Sequence, residues 1–292
     1  MRIWLLLPFL IAPLLASEKA KPPYHIIIKG SDTLGAKMVP QLAEAYKAEG
    51  HNVTFYIAAE GSSTAFNTQL SSSTHIGMSS RAPKESEIKC YKEKGLQLTA
   101  HICAYDMIAV IVNEKLKLNN LSKKQVEDIF TGQTRNWKNI SASLPDQEII
   151  VYTRNTSSGT YKTFQKLAMN KKDYGKNSQK MAGSGLPMYN VAQSDNSIAY
   201  TGLAYARHKG VKPVSINNVK PTTQNATTYP LTRPLYLLTT QETPPQALAF
   251  VSWVIESPNA SKIIERVGFL PVPKQLQKAS SKQLTPLPKP TP

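Results

Sequence analysis

Three stretches of this 292-residue chain put glycine and small hydroxyl residues where a β-type run passes into a helical one. Gly30-Ser31-Asp32-Thr33-Leu34 follows the apolar run 26–28, Gly61-Ser62-Ser63-Thr64 follows 55–57, and Ser157-Ser158-Gly159-Thr160 follows 149–152. Each such loop aims unpaired backbone N–H groups and hydroxyl donors at one spot, with the positive end of a helix dipole behind them. A single loop of this kind is accounted for by helix capping. Three of them, with Arg154 standing four residues before Ser158, describe a receptor for an oxyanion. The guanidinium supplies a permanent charge and a planar fork of donors that fits an oxyanion bidentately, which capping does not require.

The elements that must hold these loops read as α/β. Short apolar runs at 24–28, 53–57, 96–104, 108–112, 149–152 and 235–238 alternate with amphipathic helical stretches. Val39, Leu42, Ala43 and Tyr46 keep a helical spacing. Ser122, with Gln125 three residues on, makes a capping box for a helix that ends near Phe130 and is stopped by Gly132. Leu248, Val251, Ile255, Ile263, Ile264 and Val267 carry a helical pattern through 245–267, with a break at Pro258 and a stop at Gly268. With 41% hydrophobic, 8% aromatic and 18% charged residues, the chain has apolar material for two cores, and its length predicts two lobes.

Residues 1–16 read as a secretory leader. Arg2 is the positive end, the stretch 3–15 is apolar apart from two prolines, and Ala16 precedes the polar Ser17-Glu18-Lys19. That stretch falls short of the roughly 20 residues needed to cross a bilayer. No cysteine follows the cleavage point, so the reading is a soluble exported protein, periplasmic or extracellular. Export permits a disulfide between Cys90 and Cys103, which would stabilise the fold by about 3 kcal/mol; two packed free thiols are the alternative. Residues 271–292 hold six prolines, four lysines and no acid, and are expected to be a disordered, solvated tail.

The 35 Lys and Arg against 19 Asp and Glu, a formal net charge of +16, invite nucleic acid, a membrane surface or a small anion. The lysines are dispersed without interleaved aromatics, which disfavours nucleic acid. Ser86-Glu87-Ile88-Lys89 matches S-x-x-K and Ser194-Asp195-Asn196 matches S-D-N of penicillin-recognising enzymes, but Lys162-Thr163 is followed by Phe164 where K-T-G needs glycine. No G-x-S-x-G elbow is present, and no Gly-Lys-Ser or Gly-Lys-Thr follows the loop at Ser157 to make a P-loop. The five histidines are scattered, with no H-E-x-x-H or C-x-x-C pair, so no metal is expected.

Six motifs in order resemble the phosphate-binding proteins of phosphate-specific ABC importers, a branch of the type 2 periplasmic binding proteins. They are Gly30-Ser31-Asp32-Thr33-Leu34, Gly61-Ser62-Ser63, Ile76-Gly77-Met78-Ser79-Ser80-Arg81, the run 106–113, Ile129-Phe130-Thr131-Gly132 with Asn136-Trp137, and Arg154 with Ser158-Gly159-Thr160 and Phe164. The resemblance covers roughly 26–270. It implies two α/β lobes, each a mixed sheet flanked by helices, with 24–104 and 213–270 forming one lobe and 105–212 the other.

By the same resemblance, phosphate oxygens fall on Thr33, the N–H of Leu34, Ser62, Arg154, Ser158, Gly159 and Thr160, with Ser31, Asp32, Ser80 and Arg81 as further candidates. Ser80 stands where one branch of the family has a carboxylate that accepts the proton of the bound anion. A serine accepts that bond more weakly. Asp32, an acid inside an otherwise anion-attracting loop, is the candidate replacement, the N-cap of the following helix being the plainer role. His75, where the family often has aspartate, reads as structural.

The implied function is non-enzymatic capture of inorganic phosphate, by a monomer without cofactor, for delivery to a membrane ABC importer. Its alternatives are a binding protein for sulfate, molybdate or a phosphorylated compound and, remotely, an exported serine hydrolase.

Overall fold

The computed structural model describes residues 21–273, so the stretch read as a leader and the tail from residue 274 lie outside the described residues. The first lobe is laid down as β1 (Tyr24–Gly30), α1 (Asp32–Gly35), α2 (Met38–Ala48), β2 (Val53–Ala59), α3 (Ser62–Leu70), β3 (Ile76–Ser79) and α4 (Glu85–Glu93). Strand β4 (Thr99–Asn113) then crosses into the second lobe. That lobe holds β5 (Asn120–Leu121), α5 (Lys123–Thr131), β6 (Ile150–Arg154), α6 (Gly159–Ala168), β7 (Gln179–Met181), α7 (Leu186–Gln193), β8 (Ser197–Gly202), β9 (Val211–Pro213) and β10 (Ser215–Ile216). Strand β11 (Thr232–Thr239) returns to the first lobe, which closes with α8 (Pro245–Glu256), α9 (Pro258–Arg266) and β12 (Leu270–Pro271).

The main sheet runs β2-β1-β3-β11-β4-β8-β6-β7. Its two ends are parallel, β1 with β2 and β3 in one lobe and β6 with β7 and β8 in the other. Its middle is antiparallel, where β11 and β4 bridge the lobes. In such sheets ligands gather where loops leave the carboxyl ends of the parallel strands. Here those ends carry the glycine and hydroxyl loops after β1, β2 and β6.

Local signals explain the element ends. Ser122 and Gln125 make the reciprocal capping box, and Gly132 closes α5 in the left-handed region at φ 79°. Pro258 takes the first position of α9, where its missing N–H costs nothing. The Ser257 side chain there accepts from the Asn259 and Ala260 N–H groups, so one expected helix becomes two. Conversely, the runs 96–104 and 108–112 merge into the single strand β4. Asp106 interrupts the apolar pattern, but it is paired across the ladder with Arg233 of β11.

Each lobe has its own core. Phe130, Phe164, Trp137 and Tyr200 anchor the second, while the first packs Ile26, Leu34, Leu42 and Phe250 on one sheet face and Phe66, Tyr91 and Tyr236 on the other. The second core also holds Val214, Ile216, Tyr229 and Leu231, and β10 pairs with β5. The return crossing therefore lies at Thr232 and not near 213. The segment between follows the second lobe's surface, because its apolar residues find their partners there.

The ordered body also extends past Leu270. Pro271 pairs with Ala104 and Val272 is buried, so the proline-rich stretch is anchored at its start. The Cys90–Cys103 disulfide does not form, and both thiols are free. Cys103 faces the core that includes Leu235 and Leu237, whereas α4, which carries the exposed Cys90, packs through Tyr91 on the opposite face of the sheet. Strand alternation between Ile102 and Cys103 sets the two sulfurs on different sides.

Candidate functional site

In the first lobe, β1 ends at Gly30, whose φ of 133° and backbone contact with Met78 admit no side chain; a Cβ there would lie 2.3 Å from the Met78 carbonyl oxygen. The chain turns sharply, the Ser31 N–H donates to Met78 O at 2.8 Å, and α1 starts at Asp32. Ser31 stands at the N-cap position but makes no side-chain cap bond. Tyr205 O–H, from the segment that follows β8, donates to the carbonyl of Thr33 at 3.0 Å and holds the turn. Leu34 puts its side chain in the core, and its N–H donates to Ser31 O at 3.2 Å.

The next loop ends at Gly61, with φ 117°, where α3 begins at the buried Ser62. Ser62 Oγ accepts the Ser80 N–H at 3.0 Å and lies 3.2 Å from Ser80 Oγ, which sets two hydroxyls side by side.

In the second lobe, β6 delivers Arg154 at its last position and α6 starts four residues after Asn155. Ser158 caps α6, its Oγ accepting the Tyr161 N–H at 3.3 Å, so the plain capping role is real and leaves its hydroxyl proton free to donate elsewhere. Phe164 of α6 stacks on Tyr200 of β8 at 3.9 Å, and the Tyr200 hydroxyl accepts the Arg154 N–H at 3.3 Å. Packing thus fixes the helix terminus and the arginine against one ring.

The loops meet across the cleft. Thr33 Oγ1 and Thr160 Oγ1 are 3.0 Å apart, the Ser63 N–H donates to Ser157 O at 3.2 Å, and Thr163 Oγ1 donates to Ser80 O at 3.2 Å. Gly159 sits so close to the paired serines that a Cβ would fall 2.2 Å from Ser62 Oγ and 2.5 Å from Ser80 Oγ. Arg154, 2% exposed, donates from Nη1 to Ser184 Oγ at 2.8 Å. Its Nη2 lies 3.7 Å from Asp32 Oδ1, and its buried Nε has no protein partner. Asp32 Oδ1 also accepts the Ser184 N–H at 2.5 Å, so the acid ties one lobe to the other and does not cap α1.

Burial pushes the Arg154 guanidinium below its ordinary value, and Asp32 pulls it back up. Beside it, Arg233 donates twice to Asp106 Oδ2, at 2.7 and 3.2 Å, and from Nη1 to Ser80 O at 3.1 Å. Burial pushes the Asp106 carboxyl up while Arg233 opposes the shift. Two arginines and two aspartates therefore balance formally in this interior, and what remains for an anion is the hydroxyl groups of the meeting loops and the unpartnered Nε–H of Arg154.

Of the residues expected from the sequence, Ser31, Asp32, Thr33, Ser62, Ser80, Arg154, Ser158, Gly159 and Thr160 come together. Arg81 does not join them. Its guanidinium makes a bidentate pair with Glu87, at 2.6 and 2.7 Å, and lies 4.7 Å from the centre of the Phe66 ring, because Glu87 sits one turn into the helix that follows. Ser184, Asp106, Arg233 and Tyr205 were not legible as site residues. Asp106 inside an apolar run was the one available signal, since a lone acid in a strand needs a partner.

His75 accepts the Ile27 N–H at Nδ1, 3.1 Å, within the sheet margin. The S-x-x-K and S-D-N segments lie on different lobes: Lys89 faces Glu93, Asp195 pairs with Lys115, and Asn196 donates to Glu148 O. Among the described residues no group of three or more His, Cys, Asp and Glu is placed to hold a metal ion, and no helix is long and apolar enough to cross a membrane.

Residues 16–258 match the model of a PBP superfamily domain. The phosphate-binding protein PstS of Pseudomonas aeruginosa is 30% identical over 278 residues, covering 87% of this chain and 85% of that protein. PstS of Borreliella burgdorferi is 26% identical, covering 92% and 98%. Among solved structures, a putative phosphate ABC transporter substrate-binding protein with bound phosphate from Clostridium perfringens superposes with a TM-score of 0.77 at 28% identity, covering 85% of this chain and all of that one. An ABC-type phosphate transport receptor from Vibrio cholerae does so with a TM-score of 0.70 at 26% identity, with coverage of 85% and 100%.

Proposed function

Because the chain belongs to the PBP superfamily, and within it to the PstS-type phosphate-binding proteins, we propose that it is an exported solute-binding protein that captures inorganic phosphate between its lobes. It hands the anion to a membrane ABC importer and catalyses no reaction. The observation that carries this reading is the buried Arg154 in a closed cleft where Thr33, Ser62 and Ser80 of one lobe meet Ser158, Gly159 and Thr160 of the other. A guanidinium with a spare buried N–H and a set of neutral donors offers a dehydrated tetrahedral anion its hydrogen bonds at close range.

Each lobe supplies part of the set, so a liganded closed state gains contacts that an open one lacks, and the anion draws the lobes together. Asp32 is the acceptor in this scheme. A fully ionised anion offers it no proton and meets its charge, whereas a protonated phosphate donates to it. The leader at 1–16 accounts for export.

Calorimetry on protein stripped of bound anion, against phosphate, arsenate, sulfate and molybdate, tests the reading. Phosphate should bind tightly with arsenate as its competitor, and sulfate should be weaker by orders of magnitude. Heat with sulfate or molybdate and none with phosphate would reassign the ligand.

A further inference from the structure

A second charged feature adjoins the site. A groove of about 340 Å³ runs between the lobes where α6 faces the segment that follows β3. Arg81 and Lys84 line it from one lobe, Lys162 and Lys166 from the other, and Arg233 from the crossing strand β11; no carboxylate lines it. The two arginines are held by Glu87 and Asp106. None of the ion pairs among the described residues uses Lys84, Lys162 or Lys166. Ser80 also lines the groove, and its Oγ lies 3.2 Å from Ser62 Oγ, so the groove leads to the hydroxyl cluster.

The interior itself exerts little pull at a distance. Arg154 is offset by Asp32 and Arg233 by Asp106, and dipoles that bind well at hydrogen-bond range fade quickly through water. Unpaired ammonium groups do reach further, across a Debye length of about 8 Å at physiological salt. Lys162 and Lys166 stand one turn apart on α6 and share a face, with Lys84 on the opposite lobe. Like charges set on both walls of a cleft repel as it narrows, and an anion between them relieves that repulsion.

We propose that this groove is the encounter site through which a small tetrahedral oxyanion is gathered before it passes Ser80 into the buried cluster. The proposal rests on the phosphate reading of that cluster. It makes Lys84, Lys162 and Lys166 determinants of the association rate, leaving the residence time to Arg154 and the hydroxyls.

Stopped-flow kinetics of the full chain with inorganic phosphate, across a range of salt concentrations, test it. In the triple variant Lys84→Gln, Lys162→Gln, Lys166→Gln the association rate at low salt should fall about tenfold, with the dissociation rate unchanged and a flatter salt dependence. The corresponding triple Lys→Arg variant should keep the rate. Neutralising three exposed lysines elsewhere, Lys176, Lys209 and Lys262, should leave it as it was. An association rate indifferent to the groove triple, or equally sensitive to the remote one, overturns the encounter site while leaving phosphate binding intact. Wild-type protein that binds no phosphate overturns both readings.

Discussion

Asp32, at the start of α1 in one lobe, and Arg154, at the end of β6 in the other, stand 3.7 Å apart across the cleft, and both hold Ser184. The acid offsets the arginine only when the lobes are together, so it acts on the closed state. Asp32→Asn keeps an acceptor oxygen but removes the charge that resists a fully ionised anion. The ratio of sulfate to phosphate affinity should then rise by at least about tenfold, read by calorimetry at neutral pH. An unchanged ratio limits Asp32 to joining the lobes.

Arg154→Ala removes a buried guanidinium whose Nε–H has no protein partner. Phosphate affinity should fall by on the order of 2–4 kcal/mol, since a buried charge-assisted pair is lost while Asp32 is left without its counter-ion. The same substitution leaves the fold's cores untouched, so far-UV circular dichroism should not change. Wild-type affinity in this variant contradicts the site assignment.

Gly159 tests closure separately from charge. An added methyl would meet Ser62 Oγ at 2.2 Å and Ser80 Oγ at 2.5 Å, both on the opposite lobe, while Gly159, the first residue of α6, has a φ outside the left-handed region that would strain an alanine. Gly159→Ala should therefore leave thermal stability of the stripped protein nearly unchanged and weaken phosphate by roughly 1–3 kcal/mol, the usual cost of overpacking. Small-angle scattering should show less compaction on adding phosphate than in wild type.

What could be read ahead of the structure follows from which contacts are local. The capping box at Ser122, the stop at Gly132 and the loops after β1, β2 and β6 depend on neighbours within a few residues, and so the sequence displays them. The partners of Arg154 lie far away along the chain, Asp32 at one end and Ser184 in a loop without a motif, and only the closed topology brings them together. Arg81 misled for the opposite reason. It sits inside a motif that resembles a ligand loop, yet Glu87, six residues on, captures it locally. The place where the chain re-enters the first lobe was likewise hidden, because Val214 and Ile216 carry no mark of which lobe's core they join.

Cys103 gives a prediction for alkaline pH. Its side chain is wholly buried among Leu235, Leu237 and their neighbours, and burial pushes the thiol up to about 12. In the unfolded chain the same thiol ionises near the ordinary value of about 8.5. The folded state therefore keeps a proton that the unfolded state gives up. The stability this contributes is complete below the unfolded value and is lost progressively as pH rises toward about 12. The buried hydroxyls of Tyr91, Tyr200 and Tyr229, pushed up by the same desolvation, act in the same direction at higher pH. Denaturant unfolding at pH 8 and at pH 10.5 should show the wild type losing on the order of 1–3 kcal/mol more than Cys103→Ala over that interval, where only the slope with pH is compared. Thiol titration of the native protein at pH 8 should find Cys90 reactive and Cys103 silent until the chain is unfolded. Two thiols that fail to react even in denaturant would mean that they are bonded to each other, and that the sheet face assigned to Cys103 is wrong.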